Sequence, residues 1–536
     1  MVRIVFLAGS LAITAASTDT YNVPAKMNKI GQPLDSFVSY SIEFASFPDF
    51  AGNDTLRNDF SYNLLKNLGD MMGTSPYIRV GGNTQDYALF NGSQKEALIG
   101  VVDPSRSPDY PTTITIGPSY FESYNTWPGF KYSHGFNLGL GGNRSAGWQT
   151  LVETVPLACK ALGNGKLYTW EYGNEPDLYS VSAQGPVRPS SWKESSYVRQ
   201  WLNGTKEIRA RVKESCPDLG DPQYMAPSFA SLADPLNEAK TWQAGLNVNK
   251  DIELFSTHNY ISGAASPGVT LQGTLMNFGV TKASVDNHVK SYSRIFGSTG
   301  NASAPPLIFG ETNSLYNQGR PGLSNTFGAA LWGINFNLYS ASVGFKRMHM
   351  HQGTNYRYQA WQPVDTDKAT KGTKAPYYGS MAVAAMLRNS ATRPVSVSNV
   401  ALGTDQHEAA YAAHFAKSEQ LARLLVINMH RYNTTVDGAG LVPVSNPAVR
   451  AARTYSFRVG PQVADGQFVR VQRLLANGSD AITGITYDGW SYNWELDAGR
   501  PVRLHNVTTG ETTVVSNGQV TVSLPDSSAA LLSFTK

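Results

Sequence analysis

The chain has 536 residues, 41% of them hydrophobic, and a formal net charge of +4. At roughly 100–200 residues per domain, that length fits one large unit joined to a smaller one, with enough apolar material for a sizeable core. Lys and Arg are scattered, with no run of five or six, so the pattern of a nucleic-acid or polyanion binder is missing.

The first 17 residues read as an export signal: Arg3 gives a charged start, Ile4 to Ile13 an apolar centre, and Ala15-Ala16-Ser17 a small-residue cleavage site. The apolar run is too short to span a bilayer, and no later stretch reaches membrane length. A secreted, extracellular protein with no membrane partner is expected. Eight Asn-x-Ser/Thr triplets, at Asn53, Asn91, Asn143, Asn203, Asn301, Asn433, Asn477 and Asn506, fit a glycosylated exported chain. The two cysteines, Cys159 and Cys216, form no C-x-x-C motif and are expected to pair in an oxidising compartment. Residues 18–35 are too few for a domain; the reading pairs them with the C-terminal region, which ties the termini together.

From 36 to 374, strand-like runs alternate with helical patterns. The runs are Ser36–Phe44, Pro76–Gly82, Lys131–Gly139, Leu167–Glu175, Tyr224–Ala230, Leu254–Tyr260, Pro306–Asn313 and Phe345–Gln352. Apolar residues at i, i+3 and i+4 predict helices over Leu151–Leu162, Trp192–Lys213, Val285–Phe296 and Leu323–Ala341. Eight alternating units argue for an α/β fold, a (β/α)8 TIM barrel. An open doubly wound sheet is the alternative, but the Gly-rich phosphate turn it normally carries is missing. Between the second and third strands, Tyr87–Phe130 is rich in Pro, Ser, Tyr and Gly and has no helical pattern. On a barrel it would lie on the catalytic face. From 375 to 536 short strand-like runs such as Leu421–Met429, Thr454–Gly460 and Gln519–Leu524 alternate with turn residues, which predicts an antiparallel β-sandwich.

Barrel enzymes carry their chemistry at the C-terminal ends of the strands. Here those ends supply Glu43; Asn83 and Asp86; Asn174 and Glu175; His258, Asn259 and Tyr260; Glu311; and, after the eighth strand, Tyr356 and Tyr358. Glu175 closes the fourth strand and Glu311 the seventh, positions that face each other across a barrel mouth. Two carboxylates flanking a glycosidic bond, one protonated and one ionised, are what retaining glycoside hydrolysis needs, at a separation of about 5–5.5 Å. Asn174 is placed to bind a sugar 2-OH, and Tyr260 to donate to Glu311. Strand alternation from an inward Trp170 turns Glu171 away from this role, so it reads as a structural acid, paired inside the barrel. His349 and His351 alternate with Met348 and Met350, but no third ligand has suitable spacing, so no metal centre is expected.

The stretch Tyr168–Leu178, containing WEYGNEPD, and the stretch Ile308–Tyr316 resemble the two catalytic segments of the glycoside hydrolase family 79 β-glucuronidases, relatives of heparanase. Ile78–Asp86, Ser256–Tyr260 and the C-terminal Gly484–Leu504 fit the same family, so the resemblance covers nearly the whole chain. It implies Glu175 as acid/base, Glu311 as nucleophile, Glu43 and Asn83 as sugar-hydroxyl contacts and Asn174 at the 2-OH. It also implies that a uronate carboxylate is read by Tyr316, by Tyr356 or Tyr358 (Tyr358 preferred), and by backbone N–H groups near Gly319. His258 either lines the site beside Tyr260 or is a satisfied barrel histidine. The expected activity is a retaining, cofactor-free hydrolysis of terminal β-linked glucuronic acid, with or without a 4-O-methyl group. An endo-acting enzyme on an acidic polysaccharide is the runner-up; it calls for basic clusters beside the cleft, which the sequence does not display. A carbohydrate-binding protein without chemistry would be expected to have lost one of the two glutamates. Oligomeric state is not set by these features.

Overall fold

Eight parallel strands hydrogen-bond to one another in chain order and close on themselves. They are β1 (Val38–Glu43), β2 (Tyr77–Gly81), β3 (Lys131–Phe136), β4 (Leu167–Tyr172), β5 (Tyr224–Phe229), β6 (Ile252–Gly263), β7 (Leu307–Tyr316) and β8 (Met348–Gln352). Closure comes from β8 on β1, where Met348 faces Val38 and Met350 faces Tyr40. All eight predicted runs are strands of the barrel. The computed structural model describes residues 19–142, 145–182, 185–232 and 235–534. The expected export signal and the Asn143 sequon lie outside the described residues.

Strand alternation sorts the barrel into two shells. Ile78 and Val80 of β2 are fully buried in the hydrophobic core, while Arg79 between them points into the barrel. The register places Arg79 beside Ser133, and Ser133 beside Thr169, whose hydroxyls are 2.9 Å apart. Trp170 was expected to point inward. It packs instead against His134 and Phe136 in the outer shell, and Glu171 takes the interior position. The strand parity is set by Glu171, whose charge finds its partner only on the barrel axis.

The helical layer comprises α1 (Asp59–Met72), α2 (Ser145–Ala161), α3 (Glu194–Ser215), α4 (Glu238–Gln243), α5 (Phe278–Phe296), α6 (Phe327–Ser342) and α7 (Ala375–Met386). Several begin on a side-chain cap: Asn58, Asn237, Asn277 and Thr326 each accept from a backbone N–H in the first turn. The expected boundary at 374 needs correction, because α7 packs on α6 and α1 and completes the barrel layer. Its sequence, APYYGSMAVAAM, is apolar almost all round because it is covered on both sides, so the amphipathic stripe that would announce a helix is absent.

Between β2 and β3 the chain makes no α-helix. It forms a small sheet of Ala88–Phe90, Leu98–Val101 and Thr113–Ile116, then a 3-10 helix over Pro118–Asn125. Arg357, in the segment after β8, clamps this excursion by a two-pronged contact to Asp109 at 2.7 and 2.8 Å.

The C-terminal region is a nine-stranded sheet facing a three-stranded one. It includes Val395–Val400 and Glu408–Phe415, which the pattern reading did not mark. The strand Leu421–Asn428 shows why the region reads as apolar. Leu424 and Val426 fill the core between the two sheets, while Leu425 and Ile427 join the barrel's own core. The larger sheet is thus buried on both faces, one of them against the barrel helices; Tyr411 donates to the Asn335 carboxamide oxygen of α6 at 2.7 Å. The N-terminal strand Thr20–Asn22 pairs with Ala452–Arg458, Thr20 opposite Ser456.

Cys159 near the end of α2 is bonded to Cys216 just after α3, and the sequence separation is 57 residues. The bond staples two neighbouring helices. From loop-closure entropy, Cys159→Ser with Cys216→Ser should cost about 2–4 kcal/mol. The check is a denaturant titration of the double variant; an unchanged midpoint would contradict a stabilising role.

Candidate active site

The β4 strand ends in an unusual turn. Gly173 has φ 87° and Glu175 has φ 47°, both left-handed, on either side of Asn174. A glutamate in that region is uncommon and has to be held there. The holding contacts are the Glu175 N–H on the Ser228 carbonyl at 3.0 Å and the Asn174 N–H on Asp86 at 2.9 Å. Pro176 then opens a short 3-10 turn. Asp86 is itself saturated: it accepts from the N–H groups of Leu138 and Gly139 at 2.9 Å and from Tyr179 at 2.7 Å.

Arg79 stands beneath this turn, fully buried. Its guanidinium reaches Glu171 at 2.7–2.8 Å, Glu311 at 2.6 Å, the Asn174 carboxamide oxygen at 2.7 Å and the Ser41 hydroxyl at 3.0 Å. Tyr260 donates to the other Glu311 oxygen at 2.7 Å. Burial alone would push the Glu311 carboxyl up. His351, His258 and the permanent Arg79 cation, with the Tyr260 hydrogen bond, outweigh it and hold the group down to about 2. Glu311 is therefore ionised across the working pH range.

Glu175 has a different neighbour. One oxygen lies 3.0 Å from His258 Nδ1. Burial drives the His258 imidazole down to about 4 despite nearby carboxylates, so it is neutral near pH 5–7. A neutral imidazole donates to an ionised Glu175 in one tautomer and accepts from a protonated one in the other. One Glu175 oxygen, one Glu311 oxygen and a His258 nitrogen lie within 4.8 Å of one another.

Glu43, at the end of β1, accepts from the Thr84 N–H at 2.9 Å, the Thr84 hydroxyl at 2.6 Å and Tyr356 at 3.0 Å. His351 lies 3.3 Å from Glu43 and 3.7 Å from Glu311. Burial works against charge on His351, but Glu311 and Glu43 prevail and raise its pKa. Gly82 is required next to this acid, since a Cβ there would fall 2.6 Å from a Glu43 oxygen at a φ of +101°.

A cavity of about 440 Å³ opens over these groups. Glu43, Asn83, Glu175, Tyr260, Glu311, Tyr316 and Tyr358 line it, so seven of the predicted site residues meet there. Tyr316 is half exposed at its rim. Three predicted substrate contacts do not line it. His258 backs Glu175, Tyr356 spends its hydroxyl on Glu43, and Asn174 spans Arg79 and Asn83, donating to the Asn83 oxygen at 3.0 Å. Each directs a polar group at a protein neighbour. His349 is buried inside the barrel with Nδ1 3.4 Å from the Tyr40 carbonyl. The cavity wall also includes Leu178, Ser231, Asn259, Asn317, Gln318 and His351, which the sequence reading did not assign as contacts. Arg79 was the larger omission. A lone arginine inside the apolar strand Tyr-Ile-Arg-Val-Gly was the available signal, since such a charge requires carboxylates on the same barrel face.

A barrel whose fourth and seventh strands present paired glutamates, one ionised and one against a neutral histidine, defines a glycoside hydrolase. Over residues 410–531 the chain matches the glycosyl hydrolase family 79 C-terminal beta domain. It is 62% identical over 493 residues to a β-glucuronidase of Neurospora crassa, covering 89% of this chain and 88% of that one. It is 52% identical to a β-glucuronidase of Aspergillus niger, covering 98% of this chain and 94% of that one. A crystal structure of a 4-O-α-L-rhamnosyl-β-D-glucuronidase from Fusarium oxysporum superposes with a TM-score of 0.73 at 24% identity, covering 96% of this chain and all of that one. A family 51 α-L-arabinofuranosidase from Bifidobacterium longum shares the fold more distantly, with a TM-score of 0.59 at 12% identity, covering 97% of this chain and all of that one. The chain belongs to glycoside hydrolase family 79 and is a β-glucuronidase.

Arg79→Met should leave Glu171 and Glu311 buried without their cation, at a stability cost of about 3–5 kcal/mol. Glu311 is depressed in the fold, so its ionisation stabilises the protein above the unfolded carboxyl value of about 4.3 and that contribution fades as pH falls toward 2. Without Arg79 the Glu311 pKa rises, and the acid limb of kcat/KM moves toward neutral pH. A pH–rate profile of Arg79→Met beside Arg79→Lys checks this; an unmoved acid limb in Arg79→Met would contradict it.

Proposed function

We propose that the protein is an exported, retaining β-glucuronidase that removes terminal β-linked glucuronic acid, plain or 4-O-methylated, from glycans or glycosides. The observation that carries this reading is the approach of the two carboxylates, with oxygens within 4.8 Å. That spacing suits direct attack by one carboxylate, whereas an inverting pair stands about 6.5–9.5 Å apart to admit a water. Glu311, ionised and oriented by Arg79 and Tyr260, attacks the anomeric carbon while protonated Glu175 gives its proton to the leaving oxygen. Glu175, now ionised, then takes a proton from water, which releases the sugar from Glu311 with net retention. The His258 contact suits both protonation states of Glu175.

Glu43 and Asn83 face the sugar hydroxyls from the wall formed by the ends of β1 and β2. Tyr358, Tyr316 and the turn at Asn317–Gln318 supply neutral donors on the side of Glu311, the arrangement suited to a uronate carboxylate. Tyr110 of the excursion packs with Tyr356 and Tyr358 and closes that side, which favours a terminal sugar. Export with glycosylation draws support from the disulfide and from the exposed positions of Asn53, Asn91, Asn203, Asn301, Asn477 and Asn506; Asn433 is half-buried and its oxygen accepts from Ser479. Among the described residues no helix is long and apolar enough to cross a membrane.

Glu175→Gln and Glu311→Gln should each abolish turnover of an aryl β-glucuronide. NMR of the wild-type reaction should show β-glucuronic acid as the first product; α-glucuronic acid first, or full activity in Glu311→Gln, would defeat the mechanism. Tyr358→Phe should raise KM about 10-fold with a smaller change in kcat, because a hydrogen bond to a charged group is lost. Steady-state kinetics on that variant test the carboxylate assignment.

A further inference from the structure

His351, the penultimate residue of β8, lines the catalytic cavity. Its ring lies between two carboxylates: Nε2 is 3.3 Å from Glu43 and Nδ1 is 3.7 Å from Glu311. Arg79 is already shared between Glu171 and Glu311, one cation for two acids. Among the described residues no lysine or arginine pairs with Glu43, whose other partners, Thr84 and Tyr356, are neutral donors. The wall that receives the sugar therefore holds more carboxylates than fixed cations, and a glucuronate brings a further negative charge. Away from water such like charges repel strongly.

His351 can carry the offsetting proton without moving. Nδ1 is 2.8 Å from the Ser41 hydroxyl, which donates to a neutral ring and accepts from a charged one. Nε2–H donates to Glu43 in both states. The other groups around the ring do not take that proton. His258 and His349 are held neutral by burial, at about 4 and about 3, and the phenols of Tyr260, Tyr356 and Tyr358 are pushed up. Arg357, next to Tyr358, is paired with Asp109. Glu311 and Glu43 raise the His351 pKa against burial and against Arg79. The Tyr356 and Tyr358 rings lie 6.0 and 6.2 Å from the imidazole, so it adjoins the tyrosine assigned to the uronate carboxylate.

We propose that protonated His351 is a specificity residue: its charge offsets Glu43 and Glu311, so the cavity accepts a uronate in preference to an uncharged sugar, and the bound uronate in turn holds the proton on. The inference rests on the placement of the uronate beside Tyr358 and adds the charge that neutral hydroxyls do not supply. Linkage makes the two effects equal: the proton strengthens uronate binding by the factor by which uronate strengthens proton binding. The charge is present below the raised pKa of the ring and is lost as pH rises through it. Affinity for an anionic sugar then falls on the basic side, and affinity for a neutral one does not.

The test is calorimetric titration with an S-aryl β-glucuronide, which resists hydrolysis, and with its uncharged glucuronamide. Buffers of different ionisation enthalpy at about pH 7 count the protons taken up on binding. Glu175→Gln is the background, so a proton captured by Glu175 does not enter the count. The glucuronide should bind with uptake of part of a proton and the amide with none. Adding His351→Gln should abolish the uptake and weaken glucuronide binding about 10-fold, with the amide within about 2-fold. Glucuronide binding without uptake in Glu175→Gln overturns the inference and needs no His351 variant; uptake that survives His351→Gln also overturns it. Both results leave the placement of the uronate standing. Equal binding of glucuronide and amide, unchanged by Tyr358→Phe, overturns that placement and the inference with it.

Discussion

Arg79 puts a permanent positive charge on the barrel axis, where water does not reach it. Such a charge persists only if carboxylates and hydrogen-bond acceptors surround it, and the fold supplies them from three strands or their ends: Ser41, Glu171 with Asn174, and Glu311. Removing any one acid would leave the cation partly uncompensated, so the three charges fix one another. The same contacts orient Glu311 and place the Asn174 turn that carries Glu175. The ion pairs and the two proposed catalytic glutamates belong to one network.

Around that network the two glutamates are driven apart in character. Glu311 is crowded by donors and cations and stays ionised. Glu175 meets a histidine that burial keeps neutral. One fold thereby gives two carboxylates a few ångströms apart different surroundings, the condition that the proposed division into nucleophile and acid requires. Around them, Asp86 holds the Asn174 N–H, and Thr84, His351 and Tyr356 contact Glu43, which fixes the neighbouring groups of the wall.

The double-sided C-terminal sheet matters for a related reason. Its second face packs on α6 and α7, the helices that follow the strand bearing Glu311 and the strand bearing His351. The excursion after β2 is tied to the segment after β8 through Asp109 and Arg357. The sheet braces the helical layer of the barrel, and the excursion braces the loop after β8.

The sequence by itself determined the eight strands, the paired glutamates and their place on the fourth and seventh strands, because periodicity and strand-end chemistry are local properties. It also carried the family's motifs, and with them the activity. It did not reveal α7 or the strands Val395–Val400 and Glu408–Phe415. For α7 the reason is that an element buried on all sides loses the periodic contrast by which it is recognised. Nor did it separate the residues that line the cavity from those beside them: Asn174 and His258 share the motifs, and Tyr356 the loop after β8, but none of the three lines it. Which side of a strand faces the axis was decided by Arg79 meeting Glu171, a pairing of residues 92 positions apart. Charge density is a property of space, and only the tertiary structure specifies which distant charges share it.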